Sequence, residues 1–262
     1  MLREIWTAFW KIGAFMLLWA VLYAPLLVPF VRLGQLYAEL TGTVTILVAA
    51  WIMRARLGFH RQHMIRDLAC GFVLGTSMMT LCVAFMLAAG FARFQSPSVM
   101  SATLAVSALA MIANSVTQEV LFRGYVQKTL ETQFGSAASV VLSSMFFAIL
   151  HVGALKSLLP AINLFLAGLL LGLAYAVTRN LWLPIGIHSG WNFLQGPLLG
   201  LVVSGNDTWA ARPTVVLRGP EIMTGGRFGI EGGLAASVVT LVAIAAIYSV
   251  RQIAPAAPDK VT

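Results

Sequence analysis

Charge is scarce in this chain. Of 262 residues only 10% are Asp, Glu, Lys or Arg, while 59% are hydrophobic. A water-soluble domain carries about 25% charged residues. The deficit excludes a soluble globular protein and leaves no residues for a separate soluble domain, so lipid is the main solvent. Acids are rarer still, nine against seventeen Lys and Arg, for a net charge of +8. In a soluble protein that excess would point to nucleic acid. Here the bases sit in short loops between apolar runs, where they meet anionic headgroups, and no nucleic-acid partner is expected. Cysteine is nearly absent. Cys70 and Cys82 share one apolar run, where a helix would hold them about 18 Å apart, beyond the roughly 7 Å a disulfide spans. There is no internal repeat and no low-complexity segment. No small-residue cleavage site follows the first apolar run, so that run reads as an uncleaved helix and not as a signal peptide.

What is present is a series of long apolar runs, at residues 12–31, 34–53, 68–91, 102–122, 137–151, 158–177, 181–203 and 234–250. A bilayer is crossed by about 20 helical residues, and lipid tolerates no open strand edge. The expected fold is therefore all-α, a polytopic membrane helical bundle of about eight transmembrane helices. Pro25 and Pro29 should bend the first helix, and Pro184 and Pro197 should bend or shorten the seventh. The chain divides into N-terminal helices (1–101), a motif-bearing core (102–203), and an outer loop with the last helix (204–262). The segment after the second run carries Arg54, Arg56, Arg61 and Arg66, which marks it as cytoplasmic. Eight crossings then leave both termini in the cytoplasm, in agreement with Arg3, Arg179, Arg251 and Lys260. Arg32, Arg93, Lys156, Arg212, Arg218 and Arg227 fall singly on the other side. Membrane lipids are the constant partner of such a protein. The glycine-rich stretch 204–233 has no helical period and is expected to be a loop capping the embedded part.

Acids, bases and amides within apolar spans are costly, and so mark function. Three clusters stand out. Gln118 and Glu119 close the fourth span, with Arg123 four residues beyond Glu119 and on the same helix face. Alone, that pair reads equally well as an ion pair closing a helix end. Phe147 and His151 end the fifth span; a lone histidine there is more often a cap than a ligand. His188 and Asn192 lie one turn apart within the seventh span, and can equally be interhelical glue. Together, one acid, two histidines and an asparagine fall on three spans of a chain that has only four histidines. Neutral imidazole and carboxylate are zinc ligands, and bound zinc lowers the pKa of its water to about 7. Without metal, an acid can activate water while His and Asn donate to the oxyanion. Either route suits amide hydrolysis. Glu119, His151 and His188 are the candidate zinc ligands in the first case.

Motifs of the form Glu-Glu-x-x-x-Arg, Phe-x-x-x-His and His-x-x-x-Asn, in that order on successive helices, resemble those of the CPBP family of intramembrane proteases. That family takes in CAAX prenyl proteases, bacteriocin-processing enzymes and abortive-infection-like proteins. Glu119 and Arg123 match the second acid and the arginine of its first motif, Phe147 and His151 its second, His188 and Asn192 its third. The strings Leu121-Phe122-Arg123-Gly124-Tyr125 and Trp191-Asn192-Phe193 are also similar. The resemblance covers roughly residues 102–197. It implies a membrane endopeptidase, metalloendopeptidase-like, of a bacterial-type cytoplasmic membrane. Its catalytic residues would be Glu119, His151, His188 and Asn192, supported by Gln118, Arg123 and Phe147. Its substrate would be a peptide or protein of the CAAX or bacteriocin class.

The chain departs from the family at Gln118, where the first acid of the pair belongs. Glutamine cannot take a proton, and adjacent helical residues point about 100° apart, so Glu119 is not a simple substitute. The alternative reading is therefore a weakened relative that serves as a membrane scaffold or immunity-type binding protein. Other intramembrane proteases fit worse. There is no His-Glu-x-x-His, Ile187 precedes His188-Ser189 where a Gly-x-Ser-Gly would begin, and Gly205-Asn206-Asp207 lacks the Gly-x-Gly-Asp form. His60 and His63 sit in the basic loop and are read as solvated.

Overall fold

In a computed structural model, residues 2–95, 102–151, 153, 156–206 and 214–253 are described. Arg212, part of the glycine-rich stretch and Lys260 lie outside them. The helices are α1 (Leu2–Tyr23), α2 (Phe30–Ile52), α3 (Met64–Ala88), α4 (Ala102–Glu119), α5 (Lys128–Leu150), α6 (Leu158–Thr178), α7 (Trp182–Phe193), α8 (Glu221–Thr224) and α9 (Leu234–Ile253). By length and apolarity five helical runs can cross a membrane, and the protein is an integral membrane protein of helical-bundle type. Their outer faces are apolar and exposed, as lipid requires: Leu17, Val44, Val73, Leu109 and Ile162 are among them. Trp6, Trp10 and Trp51, more than 60% exposed, sit where interfacial tryptophans belong, at the start of α1 and the end of α2.

The prolines end helices more than they bend them. α1 stops at Tyr23, a 3-10 turn with Pro25 near its start follows, and Pro29 caps α2. The two helices then run antiparallel, with Trp19 Nε1 donating to Gly42 O and Tyr23 Oη to Ala38 O.

The longest apolar run, Leu104–Leu150, would be about 70 Å long if straight, over twice a bilayer core. It doubles back. α4 passes into a π-helical segment, Val120–Gln127, and α5 is broken at Gly135, whose φ of 76° and ψ of 171° only glycine adopts freely. Gln127 then meets Ser143, and the Phe122 ring meets Phe147 at 5.0 Å. These pairs are nearly symmetric about residue 135, as in an antiparallel hairpin. The sequence led us to end the fourth span near residue 122 and start the fifth at 137. Instead the helix extends through the polar residues Arg123, Gln127, Lys128 and Glu131 up to the turn.

α3 and α7 form the closest helix pair. A Cβ on Gly71 would stand 2.4 Å from Leu183 O, and one on Gly75 2.1 Å from Ile187 O. In return, Gly186 would strike Leu68 O at 2.4 Å and Gly190 would strike Phe72 O at 2.3 Å. Two Gly-x-x-x-Gly stripes thus interleave backbone against backbone, the small-residue packing typical of membrane helices.

The two ends of the bundle differ. At one, the Arg54–Arg66 segment docks on the α6–α7 turn: Leu181 N donates to Gly58 O, and Trp182 Nε1 and Asn180 Nδ2 to His60 O; Arg179 of that turn pairs with Glu131 of α5. At the other, the stretch expected to be a capping loop supplies β2 (Val215–Leu217), which pairs antiparallel with β1 (Ala92–Phe94) from beyond α3, and then forms α8 and two 3-10 turns.

Candidate active site

A cavity of about 290 Å³ lies among α2, α4, α6, α7 and the start of α9, toward the ribbon-bearing end. His151, His188, Asn192, Gln118 and Phe147 line it, as do Glu39, Asn114, Asn163 and Glu231. Three of the four expected catalytic side chains thus share one cavity. Glu119 does not border it.

Glu119 and Arg123 are fully buried. Arg123 Nη1 donates to Glu119 Oε1 at 3.1 Å, Arg123 Nη2 donates to Gly168 O at 3.0 Å, and the guanidinium lies 4.7 Å from the Phe147 ring centre. The motif arginine is therefore held by a carboxylate, a carbonyl and an aromatic face. The same Glu119 Oε1 lies 2.7 Å from His188 Nδ1. A carboxylate so placed only accepts, so Nδ1 carries the proton and a neutral His188 keeps its lone pair on Nε2. His151 follows the same logic. Its Nδ1 lies 2.7 Å from Phe147 O, a carbonyl four residues back. Both rings thus have their tautomer fixed from behind, with Nε2 left as the unengaged nitrogen. Asn192 is held only loosely, its Nδ2 3.5 Å from Ser115 Oγ.

The glycine stripes explain the aim of α7. Gly186 and Gly190 press that face of the helix onto α3, which turns His188 and Asn192 toward α4. The π-helical segment begins just after Glu119, a distortion frequent at functional sites.

The zinc set expected from sequence does not gather. Among the described residues no three His, Cys, Asp or Glu side chains are grouped to hold a metal. Oε1 of Glu119 is already taken by Arg123 and His188, while Oε2 is buried without a partner. The donors as arranged do not fit a bound metal, and no step below passes through one.

Several wall residues were not anticipated. Glu231, on the turn Ile230–Gly232, accepts from Ser204 N, from Ser204 Oγ at 2.8 Å and from Trp191 Nε1 at 3.3 Å. Burial pushes its carboxyl above the usual range, against an opposing pull from these hydrogen bonds and from His188. Asn163 Nδ2 donates to the carbonyls of Glu231 and Gly233, fastening the loop over α6. Glu39 on α2 accepts from Asn114, which in turn accepts from Gln118. The sequence held a signal for Glu39, an acid within an apolar span. It held none for Glu231, which lies in a glycine-rich loop.

Residues 100–194 match the family model described as Type II CAAX prenyl endopeptidase Rce1-like. The matched segment contains all three motifs and agrees with the resemblance to the CPBP intramembrane proteases. No curated protein matches the chain.

Proposed function

We propose that the protein is an intramembrane endopeptidase that hydrolyses a peptide bond in a membrane-associated peptide or protein. The observation that carries this reading is the Glu119–His188 pair backing a cavity that His151 and Asn192 also line. Water held in the cavity gives its proton to His188 Nε2 as its oxygen attacks the scissile carbonyl carbon. Glu119 stabilises the imidazolium that results and, with Arg123 beside it, keeps the ring oriented. Asn192 Nδ2, loosely bound at rest, donates to the oxyanion of the tetrahedral adduct. His188 then returns the proton to the amide nitrogen. The C–N bond breaks, and a carboxylic acid and an amine leave, the acid's proton passing to the amine or to solvent. His151 Nε2 provides a second acceptor for the water. The match to CAAX-type endopeptidases supports a peptide or protein substrate of the prenylated CAAX class, with a bacteriocin-type peptide the alternative from the motif resemblance; a bacterial-type cytoplasmic membrane fits the charge pattern, and the basic loop supports cytoplasmic termini.

The test is cleavage by purified protein in detergent or liposomes, followed by mass spectrometry of candidate peptides. His188→Gln should lower kcat on the order of a hundredfold or more. Undiminished cleavage would move the catalytic residues elsewhere.

One observation favours a second reading. Gln118 is on the cavity wall where the family's first acid would stand, so the fold can also serve as a scaffold or immunity-type binder. On that reading the wild type cleaves nothing and Gln118→Glu brings activity.

A further inference from the structure

Gln118 is not an isolated substitution. Its Nε2 donates to Asn114 Oδ1 at 2.7 Å, and Asn114 Nδ2 donates to Glu39 Oε2 at 3.0 Å. Gln35, one turn before Glu39, borders the same cavity. All three members of the chain border the cavity, and Gln118 Oε1, closed into its wall, has no hydrogen-bond partner among the described residues, an acceptor that one water could satisfy. The direction of the chain fits the chemistry. When Glu39 is ionised its carboxylate only accepts, which agrees with Asn114 turning its NH2 toward Glu39. Its Oδ1 then faces Gln118 and must receive that residue's NH2. What remains at the end is the Gln118 carbonyl oxygen.

We propose that Glu39 is a positioning residue for hydrolysis, acting through Asn114 to fix the Gln118 amide so that its Oε1 accepts a hydrogen bond from the attacking water. This rests on the proteolytic reading above. The missing acid of the first motif is thereby supplied one relay away, from α2, outside the segment that matches the family model. Gln118 holds the water but takes no proton; the proton goes to His188. The relay also accounts for a glutamine where an acid is expected: a second carboxylate at 118 would face Glu39 across one amide and repel it.

The test is a swap across the relay. Glu39→Gln frees the amides to point either way, so kcat should fall on the order of tenfold to a hundredfold, the scale of a mispositioned reactant, with KM little changed. Glu39→Asp keeps an acceptor-only end and should retain part of the rate. The double variant Glu39→Gln/Gln118→Glu reverses the relay, puts the carboxylate in the cavity and should recover activity over Glu39→Gln alone. Equal rates in wild type and Glu39→Gln, or no recovery in the double variant, would overturn the proposal. The same variants give a readout that needs no cleavage. In thermal unfolding the two single changes should each lower Tm, and the double should lose less than their sum, because the pair shares one amide. Strict additivity would overturn the relay even in an inactive protein. A wild type that cleaves nothing, with a non-additive cycle, would sink the proteolytic reading and leave the relay standing.

Discussion

His188 Nδ1 and Glu119 Oε1 stand 2.7 Å apart, and Arg123 Nη1 reaches the same oxygen. One buried oxygen therefore serves an imidazole and a guanidinium at once. Both side chains are closed off from solvent, so the carboxylate neutralises Arg123, and this has a cost when it is removed.

Glu119→Gln is nearly isosteric, yet it leaves the fully buried Arg123 unpaired. Breaking such a pair from one side costs about 3–5 kcal/mol. Thermal unfolding in detergent should show a large drop for Glu119→Gln and a smaller one for Glu119→Gln/Arg123→Met than the single losses sum to. Equal stability of wild type and Glu119→Gln would mean that Arg123 is compensated from another source.

Reporter fusions at the C-terminus and within residues 214–233 should give opposite locations. The first should lie with the Arg54–Arg66 segment in the cytoplasm, and the second outside. The cavity is at the end away from that basic segment, so the result also says from which side a substrate arrives. Same-side reporters would disprove the arrangement.

Gly75→Ala places a methyl 2.1 Å from the Ile187 carbonyl, with backbone on both sides and nothing flexible to yield. It should destabilise by about 1–3 kcal/mol or more, as overpacking does, and should lower activity through His188 and Asn192. Gly13→Ala, in α1, meets nothing within 4 Å and should be neutral or stabilising by about 0.4–1 kcal/mol. Similar Tm values for the two would remove the seam as the anchor of α7.

Glu231 gives a pH dependence of defined sign. Burial raises its carboxyl above the ordinary 4.5. In the window above that value the folded protein holds a proton the unfolded chain has lost, so stability falls as pH rises through it. Glu231→Gln should flatten that slope in Tm measured from acid toward neutral pH. An unchanged slope would assign it to other groups.

The all-helical, apolar character of the chain and the Glu119–Arg123 pair were legible because hydropathy and i, i+4 spacing report lipid contact and helix faces directly; of the eight expected spans, five helical runs are long and apolar enough to cross among the described residues. The extension of the helix past Phe122 was not. Residues such as Gln127, Lys128 and Glu131 leave the apolar zone without leaving the helix, and hydropathy measures surroundings, not backbone. That Gln118 would face the cavity while Glu119 turned behind it could not be settled from two adjacent letters; it depends on α6 offering Gly168 O and Phe147 offering its ring to Arg123. The interleaved stripes of Gly71, Gly75, Gly186 and Gly190 were not singled out from the sequence, because which helix each meets is a property of the assembled bundle. Glu231 and Asn163 come together from stretches 68 residues apart.

The glycine seam between α3 and α7 has a mechanical consequence. Backbones in direct contact cannot slide by fractions of a turn, because each step would drive a carbonyl into the opposite chain. The wall bearing His188 is thus a fixed jaw, whereas Ser204, Glu231 and Asn163, which also border the cavity, are joined by hydrogen bonds alone. On the proposed proteolytic reading, a bound peptide should displace that part of the enclosure sooner than the seam.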